Sequence, residues 1–185
     1  MRTDMYGDID EIIYSREVID ERVKELAAQV MSVYREKRLT VVVVLKGAFL
    51  FAADLVRHVA QPCDILFVRA SSYADGTRPG AAPELELPSG VDWKGRHVLV
   101  VEDIVDTGRT MHALVTALRG QGAASVRVCS FLDKPARREV PVEVEFNGFT
   151  LDGAPFVVGY GLDLAGRYRN LPFIGTLKKS AQQKS

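Results

Sequence analysis

Val98–Met111 reads VLVVEDIVDTGRTM, and the order of residue types in it decides how the rest of the chain is read. Four apolar residues end in two adjacent carboxylates, Glu102 and Asp103. Two more apolar residues follow, and then Asp106, Thr107, Gly108, Arg109 and Thr110 open a segment of helical spacing. A β-branched run that passes through a glycine turn into a helix is a strand-to-helix unit, with its polar residues gathered at the carboxyl end of the strand. The spacing predicts the strand over His97–Glu102 and the helix from about Thr110 to Arg119, closed by Gly120 and Gly122.

Neighbouring segments repeat the pattern. Ser125–Leu132 (SVRVCSFL) and Asp64–Ala70 (DILFVRA) read as strands. Thr40–Leu45 (TVVVVL) is continuously apolar, as a strand buried on both faces must be, and Ala48–Val59 behind it reads as a helix. Over Arg16–Lys37 the residues Ile19, Val23, Leu26, Ala27, Val30 and Tyr34 recur at intervals of three and four behind Ser15, a residue suited to an N-cap. The alternation predicts an α/β fold with a mainly parallel central sheet, helices on both faces, and ligand sites at the carboxyl ends of the strands. Short strands are further predicted at Val142–Phe146, Phe156–Tyr160 and Phe173–Leu177. Ser71–Gly95, rich in Gly, Pro, Ser and Ala, is too long for an ordinary connector and reads either as a mobile lid or as an insertion without a role. The tail KKSAQQKS, residues 178–185, is predicted to be disordered.

A chain of 185 residues points to one domain spanning residues 1–185, and a fold of that size buries about 70% of its unfolded surface. Lys plus Arg and Asp plus Glu both number 24, and a net charge of zero argues against broad attraction to nucleic acid or acidic membranes. The longest uncharged run is Gly153–Leu162, short of the roughly 18 residues that span a bilayer. The opening MRTDMYGDIDEII has acidic residues where a secretory signal has a basic flank, so a cytoplasmic location is expected. Cys63 and Cys129 form no Cys-x-x-Cys and have no ligand spacing to the three histidines, which predicts buried, reduced thiols.

The first turn of the helix after Gly108 carries the chemistry. Free N–H groups and the positive dipole end form an anion cradle, Gly108 allows close backbone approach, and Thr107 and Thr110 add hydroxyl donors, so a monophosphate suits the turn. Three carboxylates beside a phosphate repel it unless something cationic or hydroxyl-rich lies between, and a ribose diol with Mg²⁺ meets both conditions. No G-x-x-x-x-G-K-[ST], H-E-x-x-H or G-x-S-x-G pattern competes with this reading.

The stretch resembles the signature of the phosphoribosyltransferases that use 5-phosphoribosyl-1-pyrophosphate (PRPP). Further motifs resemble the hypoxanthine-guanine phosphoribosyltransferases from about Ile12 to Ile174. The resemblance implies a type I phosphoribosyltransferase fold with a small hood built from the N- and C-terminal segments. Leu45-Lys46-Gly47 is similar to the pyrophosphate loop, where the peptide before the lysine is often cis. Ser72-Tyr73 is similar to the start of the flexible loop, here about residues 71–95. Lys134 is similar to the lysine that donates to O6 of the purine. Phe156 to Asp163 (FVVGYGLD) is similar to the purine-binding strand and loop: Phe156 stacks on the base, Val157 contacts its edge through the backbone, and Asp163 holds Mg²⁺. Arg169 matches an arginine that contacts pyrophosphate. Arg109 stands where members of the family vary, and the resemblance does not decide whether Arg137 or Arg138 serves the site.

What the resemblance implies is a Mg²⁺-dependent purine-salvage enzyme that moves the phosphoribosyl group from PRPP to N9 of hypoxanthine or guanine and releases pyrophosphate. Lys46, Gly47, Glu102, Asp103, Asp106, Thr107, Gly108, Arg109 and Thr110 would bind PRPP. Glu102, Asp103 and Asp163 would serve the metal, and Asp106 and Arg169 the catalysis. Because neighbouring strand residues point to opposite faces, one of Glu102 and Asp103 is expected to dominate. The family forms dimers and tetramers, and a homodimer or homotetramer is expected here. Alternatives are a xanthine or pyrimidine phosphoribosyltransferase, and a PRPP-fold regulator that binds nucleic acid.

Overall fold

A computed structural model describes residues 5–71, 83–151, 153 and 156–182 of the chain. The elements run β1 Ile9–Tyr14, α1 Arg16–Tyr34, β2 Leu39–Leu45, α2 Phe49–Arg57, β3 Cys63–Ser71, β4 Glu84–Glu86, β5 His97–Val105, α3 Arg109–Gly120, β6 Ser125–Asp133, β7 Phe146–Thr150, β8 Val157–Val158, β9 Ile174–Leu177 and α4 Lys179–Gln182. Six strands form the main sheet in the order β4-β3-β2-β5-β6-β7. Its five longer strands are parallel, and β4 is an antiparallel edge.

The apolar runs explain the layering. In β2, Leu39, Val41 and Val43 enter one core with α1 and α2, while Val42 and Val44 enter a second core with α3. In β5, Leu99 and Val101 face the first core and Val98 and Val100 the second. Each such valine or leucine stabilises the fold by about 1.5–3 kcal/mol on burial. Ser15 accepts the Val18 N–H at 3.4 Å as N-cap of α1, and all six predicted apolar positions of that helix are buried. The helix ends at Tyr34 rather than Lys37, because Arg35 is extended and Glu36 has φ 62°. The Tyr34 hydroxyl donates to the Val98 carbonyl at 2.9 Å and ties α1 to β5.

The hood is a separate three-stranded sheet, β1-β9-β8, with its own small core of Val158, Tyr168, Leu171, Phe173, Leu177 and Ala181. Ala181 is 1% exposed on α4, so the tail predicted to be disordered from residue 178 instead docks a short helix; residues 183–185 lie outside the described residues. The loop predicted over 71–95 is also corrected at its second half. β4 pairs with β3, Trp93 is 2% exposed, and Leu85, Leu87 and Val91 pack on the second core. Ser72 and Tyr73 lie outside the described residues.

The strand predicted at Val142–Phe146 starts only at Phe146. The Glu145 carboxylate accepts the Val128 N–H at 2.8 Å, so a side chain does there what a strand ladder would otherwise do. Both cysteines are free, but only Cys129 is buried; Cys63 is half-buried at the start of β3. Burial pushes both thiols up, so neither is a thiolate at neutral pH. Among the described residues no helix is long and apolar enough to cross a membrane.

Candidate active site

Strand order reverses between β2, which leads outward to β3, and β5, which leads the other way to β6. A crevice opens at the carboxyl ends of strands flanking such a switch point. The ladders show how it opens here. Pairing of β2 with β5 stops at Val43↔Val101, whereas β5 stays paired with β6 as far as Val105↔Asp133. From Glu102 onward β5 therefore has one strand partner only, and the acid pair stands on the open side.

Lys46, Gly47, Glu102, Asp103, Asp163 and Arg169 border one cleft of about 260 Å³ at this point. An adjoining recess of about 100 Å³, which shares Glu102, Ile104 and Thr110 with it, is bordered by Asp106, Thr107 and Gly108. Glu102 and Asp103 thus both reach the cleft, against the expectation that strand alternation would leave one of them dominant. The Leu45–Lys46 peptide is cis. A methyl group on Gly47 would lie 1.5 Å from Asp103 Oδ2, so position 47 has room only for hydrogen beside that carboxylate.

Glu102 is 7% exposed. Burial pushes its carboxyl well above the usual carboxylate range, and the charge of Asp103 beside it adds to the rise. Asp103 is raised by burial too, offset in part by the Ile104 N–H, which donates to Oδ1 at 2.8 Å, and by the charge of Arg169. Among the described residues no lysine or arginine forms an ion pair with either acid, and no group of three or more His, Cys, Asp or Glu gathers as a metal site. A buried and a half-buried carboxylate with no ion-pair partner suit Mg²⁺, which takes one or two carboxylates and completes its shell with water and phosphate oxygens. Asp163 is held differently. Its Oδ1 pairs with Arg169 Nη2 at 2.6 Å and its Oδ2 accepts the Gly166 N–H at 2.7 Å.

Helix α3 starts at Arg109 with Gly108, φ 83°, as N-cap; the Arg109 N–H donates to Thr107 Oγ1 at 3.5 Å, a long bond at the mouth of a helix whose first turn suits an anion. The Arg109 side chain turns away from the recess to pair with Glu139 at 2.7 Å. Lys134 donates its backbone N–H to the Val105 carbonyl at 3.0 Å, which brings it beside Asp106 at about the 4.8 Å strand spacing. The two arginines divide their work. Arg137 Nε donates to Asp106 Oδ1 at 2.6 Å, while Arg138, half-buried, donates to the Val105 and Asp106 carbonyls and pairs with Asp133. Arg138 braces the turn and Arg137 holds the carboxylate, a division that spacing along the chain does not reveal.

Lys134, Phe156 and Val157 border neither recess. Val157 is core, paired with Thr176, and Phe156 before it is 50% exposed, an open aromatic face that a stacked ring would cover. A larger groove of about 600 Å³ lies between α1, α2 and Asn170–Pro172. Its charged residues are paired, Arg16 with Asp20, Arg57 with Asp54 and Lys24 with Glu21, so it offers less to chemistry than the switch-point cleft.

The loop at Gly161 closes the cleft. With φ 102°, a methyl there would lie 2.0 Å from the Gly47 carbonyl oxygen, a backbone atom that cannot step aside. Gly161→Ala is expected to displace one loop against the other and lower the melting temperature by several degrees; a thermal melt indistinguishable from wild type would rule that packing out.

Fold and cleft define a class of protein, and residues 11–164 match its domain, described as the Phosphoribosyl transferase domain. The chain is 39% identical over 179 residues to the hypoxanthine-guanine phosphoribosyltransferase of Bacillus subtilis, covering 97% of this chain and 99% of that protein. It is 43% identical over 168 residues to the hypoxanthine phosphoribosyltransferase of Haemophilus influenzae, covering 89% and 93%. A crystal structure of a hypoxanthine phosphoribosyltransferase from Staphylococcus aureus superposes with a TM-score of 0.90 at 36% identity over 98% of each chain. The chain belongs to the hypoxanthine-guanine phosphoribosyltransferase family.

Proposed function

We propose that this single-domain protein transfers the 5-phosphoribosyl group of PRPP to N9 of hypoxanthine or guanine, giving IMP or GMP and pyrophosphate, as a purine-salvage enzyme of the cytoplasm. The observation that carries the reading is the convergence, at the switch-point cleft and its adjoining recess, of the acid pair, the glycine-led start of α3 and the Lys46-Gly47 turn.

In this reading the amides after Gly108 and the Thr107 and Thr110 hydroxyls grip the 5′-phosphate, and Glu102 and Asp103 face the ribose hydroxyls. Carbon 1 becomes oxocarbenium-like as pyrophosphate departs. Negative charge near the ring and the cations Lys46 and Arg169 near the leaving group therefore stabilise the transition state more than the ground state. Asp106 takes or shares the N7 proton of the base while Lys134 donates to its 6-oxo group and Phe156 covers its face. Glu102 and Asp103 are the residues that would hold Mg²⁺, with Asp163 on the opposite wall; when bound, the ion neutralises charge on the pyrophosphate.

A net charge of zero supports small-molecule partners over nucleic acid or membranes. Exposed Phe49, Ile65 and Phe67, on α2 and the neighbouring β3, support a second copy of the chain as partner, in a homodimer or homotetramer. A spectrophotometric assay with PRPP, Mg²⁺ and each free base tests the activity. Turnover with hypoxanthine or guanine is expected. Turnover confined to xanthine or a pyrimidine would move the base assignment, and no turnover with retardation of nucleic acid would point to a regulator.

A further inference from the structure

The loop Gly159–Asp163 contains a side chain that this reaction does not use. Tyr160 stands between Gly159 and Gly161, whose φ values are 101° and 102°, and its own φ is 45°. A bulky residue in left-handed backbone incurs a steric cost that a third glycine would avoid, and such positions persist where the side chain is needed. The ring is 5% exposed and packs 4.9 Å from Phe131. Its hydroxyl donates to Asp54 Oδ2 at 2.6 Å.

Both ends of that bond lead to the pyrophosphate side of the cleft. Asp54 lies on α2, which follows directly from the Lys46-Gly47 turn. The residue after Tyr160, Gly161, is seated against the Gly47 carbonyl, accepts Arg169 Nη1 at 2.6 Å, and donates its N–H to the Arg169 carbonyl at 2.9 Å. One hydrogen bond thus closes a circuit from α2 through Tyr160 and Gly161 to Arg169 and Gly47. Of the purine side, Asp106 and Lys134 are held separately, by the ends of β5 and β6 and by Arg138, while Phe156 and Val157 precede the loop and are anchored by the pairing of β8 with β9.

We infer that Tyr160 and Asp54 are positioning residues for the pyrophosphate half of the site, setting Gly161 and Arg169 against Gly47; the inference rests on the PRPP reading above. Loss of the bond frees the loop to shift by tenths of an ångström, which weakens PRPP binding and leaves the purine contacts in place. A purely structural role would lower stability, or raise both Michaelis constants together.

The test is steady-state kinetics of Tyr160→Phe, Asp54→Ala and Asp54→Asn with PRPP and hypoxanthine varied in turn. In Tyr160→Phe and Asp54→Ala, KM for PRPP is expected to rise about tenfold with KM for hypoxanthine within about twofold. Asp54→Asn, whose amide oxygen still accepts the hydroxyl, recovers most of the wild-type KM for PRPP. Equal rises in both constants, or none, overturn the positioning role. Should Tyr160→Phe not fold, the contrast between the two Asp54 variants carries the same decision. Wild-type protein that turns over neither hypoxanthine nor guanine overturns the underlying reading and the inference with it, a result distinct from normal wild-type turnover with unmoved variants.

Discussion

Asp106→Asn is expected to lower kcat about 10³-fold while KM for PRPP stays within about threefold of wild type. Asparagine keeps the shape of the side chain and a hydrogen-bond acceptor, but it cannot take the N7 proton. The carboxylate stands one residue past the end of β5, beside Lys134, with Arg137 Nε on Oδ1 at 2.6 Å. The side chains of that ion pair are 61% and 39% exposed, and exposed pairs contribute at most about 1 kcal/mol, so the melting temperature should hardly move. Kinetics alongside a thermal melt separate the two effects. A kcat within tenfold of wild type, on a chain that melts normally, removes Asp106 from the base role.

Discrimination against adenine is expected to reach about 10⁴ in kcat/KM, because an ammonium group has donors only and the 6-amino group of adenine presents donors to it. Lys134 is the residue proposed for this task. Its backbone is pinned to Val105, and the short 3-10 turn Pro135–Arg137 follows at once, so the stem leaves the sheet at a defined point beside Asp106. In Lys134→Gln the side chain offers both a donor and an acceptor, and the hypoxanthine-to-adenine ratio should fall at least about 10²-fold, mainly through loss of hypoxanthine turnover. The check is competition between the two bases for limiting PRPP. If wild-type protein uses adenine within tenfold of hypoxanthine, Lys134 is not the group that reads position 6.

Legibility in the sequence followed the range over which each feature is encoded. The six buried positions of α1, the two-faced burial of β2 and the Gly108 turn into α3 all emerge within windows of a few residues to about twenty. β1 was missed because its pattern is half-exposed and its partner β9 lies at the far end of the chain. β4 and buried Trp93 were hidden in a segment whose Gly and Pro content outweighed Leu85, Leu87 and Val91. At the site, the residue types and the turn were readable, but the side chains that complete them were not. Arg137 and Arg138 are neighbours with different tasks, and Arg109, inside the signature, turns to Glu139 thirty residues on.

Sequence by itself determined the parallel α/β plan and the glycine turn that opens α3, since hydrophobic period and glycine placement act through local backbone and burial. Tertiary structure alone decided that β5 parts from β2 at Val101, so that both acids share one cleft, and that Gly161 closes on Gly47. Those outcomes depend on where strands distant in the chain stop pairing and how closely two backbones approach, and no local pattern carries that information.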